Sequence, residues 1–106
     1  MIRPYVFALT GLLIIAPTLS AADSPRDEWI KAKCALCHGT DGSSQTDTGR
    51  KVHAPDLRTP EVQKLSDETL ATNIARGHKG MPSFRAQVDA ARMRILISYL
   101  RGLAKG

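Results

Sequence analysis

Cysteine is almost missing from this chain: its 106 residues contain two. So small a number excludes a framework of several disulfides and leaves no second cysteine pair for a structural zinc site. Aromatic residues are scarce as well, at 5%, with a single Trp. Without aromatic side chains interleaved among basic ones, and with no nucleic-acid motif, the net charge of +5 does not point to DNA or RNA. Alternating strand patterns are absent, so no βαβ unit of the thioredoxin type surrounds the cysteines. Beyond the first residues there is no run long and apolar enough to span a bilayer. Internal repeats are missing, and so is a linker long enough to separate a second domain.

Both cysteines lie in Cys34-Ala35-Leu36-Cys37-His38. A disulfide between them would close a very small loop, where cross-linking stabilises least. On one helical turn the two thiols emerge on the same side, about 5–6 Å apart at Cβ, within reach of two vinyl groups of one porphyrin. His38 follows at once and leaves the helix in another direction, free to rise toward the iron. The pattern therefore reads as a covalent haem c site with Cys34 and Cys37 as attachment points and His38 as an iron ligand.

The amino terminus has the form of an export signal. Arg3 supplies the charged start, Tyr5 to Ala16 the apolar run, and Ser20-Ala21-Ala22 the small-residue cleavage site. Pro17 interrupts the run before it reaches the roughly 20 residues a membrane anchor needs. The expected division is thus residues 1–22 as a cleaved signal peptide and 23–106 as one domain in the periplasm, with no membrane span after cleavage. Losing the leader removes Arg3 and no acid, which lowers the +5 by one. A domain this small builds little net stability from its own core, so a large apolar cofactor is expected to hold it together.

Helix signals follow one another along the domain. Ser24 and Pro25 open the first, with Asp27 and Glu28 in its first turn and Trp29, Ile30 and Ala32 on an apolar side; it is expected to run into the haem motif. From Gly39 to about Thr59 the composition is that of a long irregular connection, one that would wall the histidine side of a haem. Thr59-Pro60-Glu61 can start a single turn, and Ser66-Asp67-Glu68 a helix that carries Leu70 and Ile74 and stops at Gly77. The last helix begins near Asp89 and sets Met93, Leu96, Ile97, Leu100 and Leu103 on one stripe, with Arg92, Arg94 and Arg101 off it.

An iron bound by one histidine keeps an open position. Met81 is the leading candidate to fill it, from Gly80-Met81-Pro82-Ser83-Phe84, where Gly80 would permit close backbone approach and Pro82 would stiffen the turn. His78 and His53 are the alternatives. Met93, on the apolar stripe, reads as a core side chain. A His/Met pair closes both faces of the iron and raises its potential relative to two imidazoles, which suits electron transfer better than bond chemistry.

With these residues in place the chain resembles the class I c-type cytochromes over essentially its whole mature length. The resemblance rests on a helix entering Cys34-Ala35-Leu36-Cys37-His38-Gly39, on Pro55-Asp56-Leu57, on Gly80-Met81-Pro82, and on a last helix with Leu96-Ile97-Ser98-Tyr99-Leu100. It implies an all-α fold, a small cytochrome c-like helical domain wrapped around one covalently bound haem. It also implies that the Pro55 carbonyl accepts from the ring N–H of His38, and that the first and last helices meet through Ile30 and Trp29 against Leu96 and Tyr99. Arg26 stands where the family often has glycine at that meeting. The implied function is one-electron transfer between redox protein partners, by a monomer or by a cytochrome subunit of a periplasmic dehydrogenase or oxidase complex. A haem sensor or a peroxidase-like protein is the remaining alternative. Lys79, Arg76 and Arg85 are candidate contacts for an acidic partner.

Overall fold

Ser24 opens the first helix by satisfying its free amide groups. Its hydroxyl accepts from Asp27 N–H at 3.2 Å while the Asp27 carboxylate accepts from Ser24 N–H at 3.3 Å, a reciprocal cap on α1 (Pro25–Lys31). The computed structural model describes residues 10–13 and 24–104. Most of the expected signal peptide, including the cleavage point after Ala22, lies outside the described residues. Among the described residues no helix is long and apolar enough to cross a membrane.

The expectation that α1 runs unbroken into the haem motif is corrected. Lys33 adopts a left-handed conformation, φ 67°, and separates α1 from α2 (Cys34–His38). The break has a packing reason, since on a continuous helix Trp29 and Cys34 would point about 140° apart. Re-aiming the chain at Lys33 lets Trp29, Cys34 and His38 all be buried. Ile30 is left 44% accessible, while Trp29, 2% exposed, makes the expected contact with the last helix. Its ring centroid lies 5.1 Å from that of Tyr99.

A second correction falls in the segment expected to be irregular. Residues Asp47–Val52 form α3, started by the Thr46 hydroxyl, which accepts from Gly49 N–H at 2.9 Å, and ended by His53 at φ 54°. Helix α4 (Pro60–Gln63) is the single turn expected after Thr59, and α5 (Asp67–Arg76) runs from its Ser66 cap to Gly77. Helix α6 (Ala90–Leu103) begins at Asp89, whose carboxylate accepts from Arg92 N–H at 2.8 Å. Asp89→Ala should cost about 1 kcal/mol of stability in chemical denaturation, the usual loss for an exposed helix cap.

The core is one cluster gathered from α1, α2, α5, α6 and two connecting segments: Trp29, Cys34, Leu57, Leu70, Ile74, Val88, Leu96, Ile97 and Leu100. Leu96 is fully enclosed, and the apolar stripe of α6 forms the centre on which α1 and α5 pack. Arg101 is more than a solvated neighbour of that stripe. Its guanidinium donates to the Gln63 carbonyl at 2.7 Å, the Leu65 carbonyl at 2.5 Å and the Asp67 carboxylate at 2.8 Å. One side chain thereby ties α6 to the turn between α4 and α5 and supplies donors to carbonyls at the end of α4. Among the described residues the regular structure is helical, and the strand-like pairing is one isolated bridge between His78 and Met81.

Candidate haem-binding site

The two cysteines stand at the ends of one helical turn, Cys34 buried and Cys37 half-buried, and both thiols are free. Burial, reinforced by the nearby Cys37, pushes the Cys34 thiol up to about 11. A thiol held protonated in this way is a poor redox nucleophile. Among the described residues no three His, Cys, Asp or Glu side chains converge as a closed metal site would require. The donors at hand suit an iron already carried by a porphyrin.

His38 closes the turn, 9% exposed, with its Nδ1 3.1 Å from the Ser44 hydroxyl. That hydroxyl donates its own proton to the Pro55 carbonyl at 2.5 Å. A carbonyl can only accept, so the serine oxygen must accept from Nδ1–H, and the order of donors sets the tautomer. The proton sits on Nδ1, and Nε2 is left with a free lone pair. Burial lowers the imidazole's affinity for a further proton, and the Pro55 carbonyl partly opposes this. A buried, neutral imidazole with one nitrogen anchored and the other available is the form a metal needs.

Short-range bonds hold the surrounding loop to its ligand. Ser44 N–H donates to the His38 carbonyl at 2.9 Å, and Leu57 N–H to the Gly42 carbonyl at 2.8 Å, which places the Pro55 carbonyl opposite the ring. The Arg58 guanidinium grips Asp56 at 2.9 and 3.0 Å and holds that carboxyl down to about 2. Asp41, capping Ser43 through its backbone N–H and hydroxyl, is likewise held below the ordinary carboxylate range. The Thr46 hydroxyl lies 2.8 Å from the Leu36 carbonyl and 3.0 Å from that of Cys37. It thus covers the exposed end of α2 from the cap of α3.

Met81 is half-buried against the core cluster that contains Cys34. Its position comes from a tight turn in which His78 and Met81 exchange backbone bonds of 3.1 and 2.9 Å, with Lys79 at φ 53°. The Ser83 hydroxyl and Phe84 N–H then pin the segment to the Ala75 and Ile74 carbonyls of α5, at 2.5 and 3.0 Å. Within the protein the backbone comes closer to its neighbours at Gly77 than at Gly80. Gly77 has φ 83°, and a Cβ there would stand 2.7 Å from the Met81 carbonyl oxygen, whereas one at Gly80 would meet only Val52 at an ordinary 3.5 Å. His78 and His53 are both exposed. Met93 is half-buried beside α5 and packs on the core.

Paired thiols on one turn, an imidazole of defined tautomer and a thioether on the same cluster fit a covalently attached haem. The family model described as cytochrome c oxidase, cbb3-type, subunit III matches residues 20–100. The chain belongs to this family. It is a c-type cytochrome domain, all-α and built to carry electrons on haem c. No curated protein and no solved structure matches it.

Two residues of this cytochrome's site carry no local sequence signal. Ser44 reads as one more polar loop residue until the chain folds its hydroxyl between His38 and Pro55. Gly49, buried inside α3, faces the Cys37 and Ser44 carbonyls so closely that a Cβ would overlap the first and stand 2.6 Å from the second. A pair of neighbouring signals, Thr46 before Asp47 and Arg50-Lys51 after, could have announced α3 as a capped helix.

Proposed function

We propose that this cytochrome is a periplasmic electron carrier that holds one haem c per chain through Cys34 and Cys37, with His38 and Met81 as the axial ligands of its iron. The observation that carries this reading is the His38–Ser44–Pro55 chain, which leaves Nε2 as the free nitrogen of a buried neutral imidazole. When bound, the haem supplies the one-electron ferric/ferrous couple. The residues of the chain supply the rest. His38 gives a strong nitrogen donor whose plane is fixed by its second nitrogen. Met81 gives a neutral sulfur that favours the ferrous form more than imidazole would. The turn that carries His38 is bonded to the Thr46 cap of α3 and the segment that carries Met81 to α5, so neither ligand needs to move when the charge of the centre changes by one.

Met81→Ala should abolish the weak sulfur-to-iron charge-transfer band of the oxidised protein and let carbon monoxide bind rapidly to the reduced protein. Met93→Ala should leave both properties as they are. The reverse pattern would assign the sulfur ligand to Met93 and overturn the reading. Export is tested separately, by sequencing the amino terminus of protein recovered from the periplasm, which should begin at Asp23.

The family's description, an oxidase subunit, favours a second reading in which the same haem serves as a relay inside an oxidase complex. Gel filtration of native extract separates the two: elution as a small free protein supports the diffusing carrier, and co-elution with a large enzyme supports the subunit. In either case Lys79, Arg76 and Arg85, which lie close to Met81 along the chain, are the cations that would meet an acidic redox partner.

A further inference from the structure

Ser44 is 4% exposed and holds φ at 62°, a left-handed conformation that costs a serine more than it would a glycine. Such a conformation persists where something else fixes it, and an observed outlier at a site is a reason to ask what the side chain does there. Its backbone bond, N–H to the His38 carbonyl, would be made by any residue except proline. What serine alone adds is the hydroxyl, 3.1 Å from His38 Nδ1 and 2.5 Å from the Pro55 carbonyl.

We infer that Ser44 is a positioning residue that lowers the reduction potential of this cytochrome by acting on its iron through His38. The inference rests on the reading of His38 as an axial ligand. A hydroxyl whose proton is already drawn toward a carbonyl is a better acceptor than one facing solvent, because successive hydrogen bonds polarise one another. Nδ1–H therefore gives up more of its electron-withdrawing character, and Nε2 becomes the richer donor. A richer donor stabilises ferric iron more than ferrous iron. Ser44 thus works against the Met81 thioether, and the two together set the potential between the values either would give alone.

The test is a redox titration of haem-loaded protein carrying Ser44→Gly and, separately, Ser44→Ala. Glycine removes the hydroxyl while accepting the left-handed backbone without strain, so Ser44→Gly should raise the midpoint potential in a protein that still folds around its haem. Ser44→Ala should raise the potential in the same direction. An unchanged or lowered potential in Ser44→Gly overturns the inference, because a hydroxyl that merely completed the packing would not move it. The parent protein keeps the outcomes apart. If its oxidised spectrum shows the low-spin haem of a His/Met pair and the variants match its potential, the ligand reading stands and only the role of Ser44 falls. If the parent lacks that spectrum, the ligand reading itself is wrong.

Discussion

Gly49→Ala should lower the stability of the haem-loaded protein by about 3 kcal/mol, the upper part of the range for forcing extra volume into a packed site. For a domain of this size that corresponds to a fall in Tm of more than roughly 10 °C. Two effects oppose one another. Alanine is the better helix former by about 1 kcal/mol, and Gly49 lies inside α3 with an ordinary helical backbone, so on local grounds the change should stabilise. Against that, the new methyl group would collide with the Cys37 carbonyl oxygen and stand 2.6 Å from that of Ser44, both backbone atoms that cannot turn aside. Relief would require α3 to move off α2, which carries the Thr46 cap away from the end of the haem helix. Gly102 provides the contrast. It lies within α6, where an added methyl group would find nothing within 4 Å, so Gly102→Ala should stabilise by about 0.5–1 kcal/mol. Thermal unfolding of the two variants beside the parent checks both signs, and a rise in Tm for Gly49→Ala would show that α2 and α3 are not locked together as described.

That contrast also marks where sequence reasoning reaches and where it stops. The starts of α1, α5 and α6 are legible because each is a local device, a Ser or Asp side chain bonded to an amide three residues on. The haem motif is legible because covalent chemistry fixes its spacing within five residues. Helix α3 is hidden by the Gly, Ser and Thr around it, which outweigh its own cap. The break at Lys33 is hidden because neither glycine nor proline marks it; a lysine is driven into the left-handed region by the gain from burying Trp29, Cys34 and His38 together. The exposure of Ile30 is hidden as well, since the sequence pattern places it with Trp29 on the apolar side. Ser44 and Gly49 depend on atoms supplied from elsewhere in the chain, the Pro55 carbonyl and the Cys37 carbonyl, and no window of local sequence contains that geometry.

Trp29 joins the core to the haem segment, and two substitutions should separate its contributions. The side chain is 2% exposed, packs its ring 5.1 Å from Tyr99 and 6.2 Å from His38, and donates its indole N–H to the Gly39 carbonyl at 2.9 Å. Tyr99 in turn donates its hydroxyl to the Thr40 carbonyl, so α1 and α6 each hold one carbonyl of the stretch of chain leaving His38. Trp29→Ala should cost about 3–5 kcal/mol, the usual range for emptying a site of this size. Much of a small domain's total stability is of that order, so the variant should retain haem poorly at physiological temperature. Trp29→Phe keeps most of the buried apolar area and loses the hydrogen bond, leaving the Gly39 carbonyl short of its donor; about 1–2 kcal/mol is expected. Chemical denaturation of the haem-loaded variants measures both. If alanine costs no more than phenylalanine, the ring is not the support on which α6 and the haem turn rest. If phenylalanine costs nothing, the bond to Gly39 does not hold the chain leaving His38, and that task falls to Tyr99 and Ser44 alone.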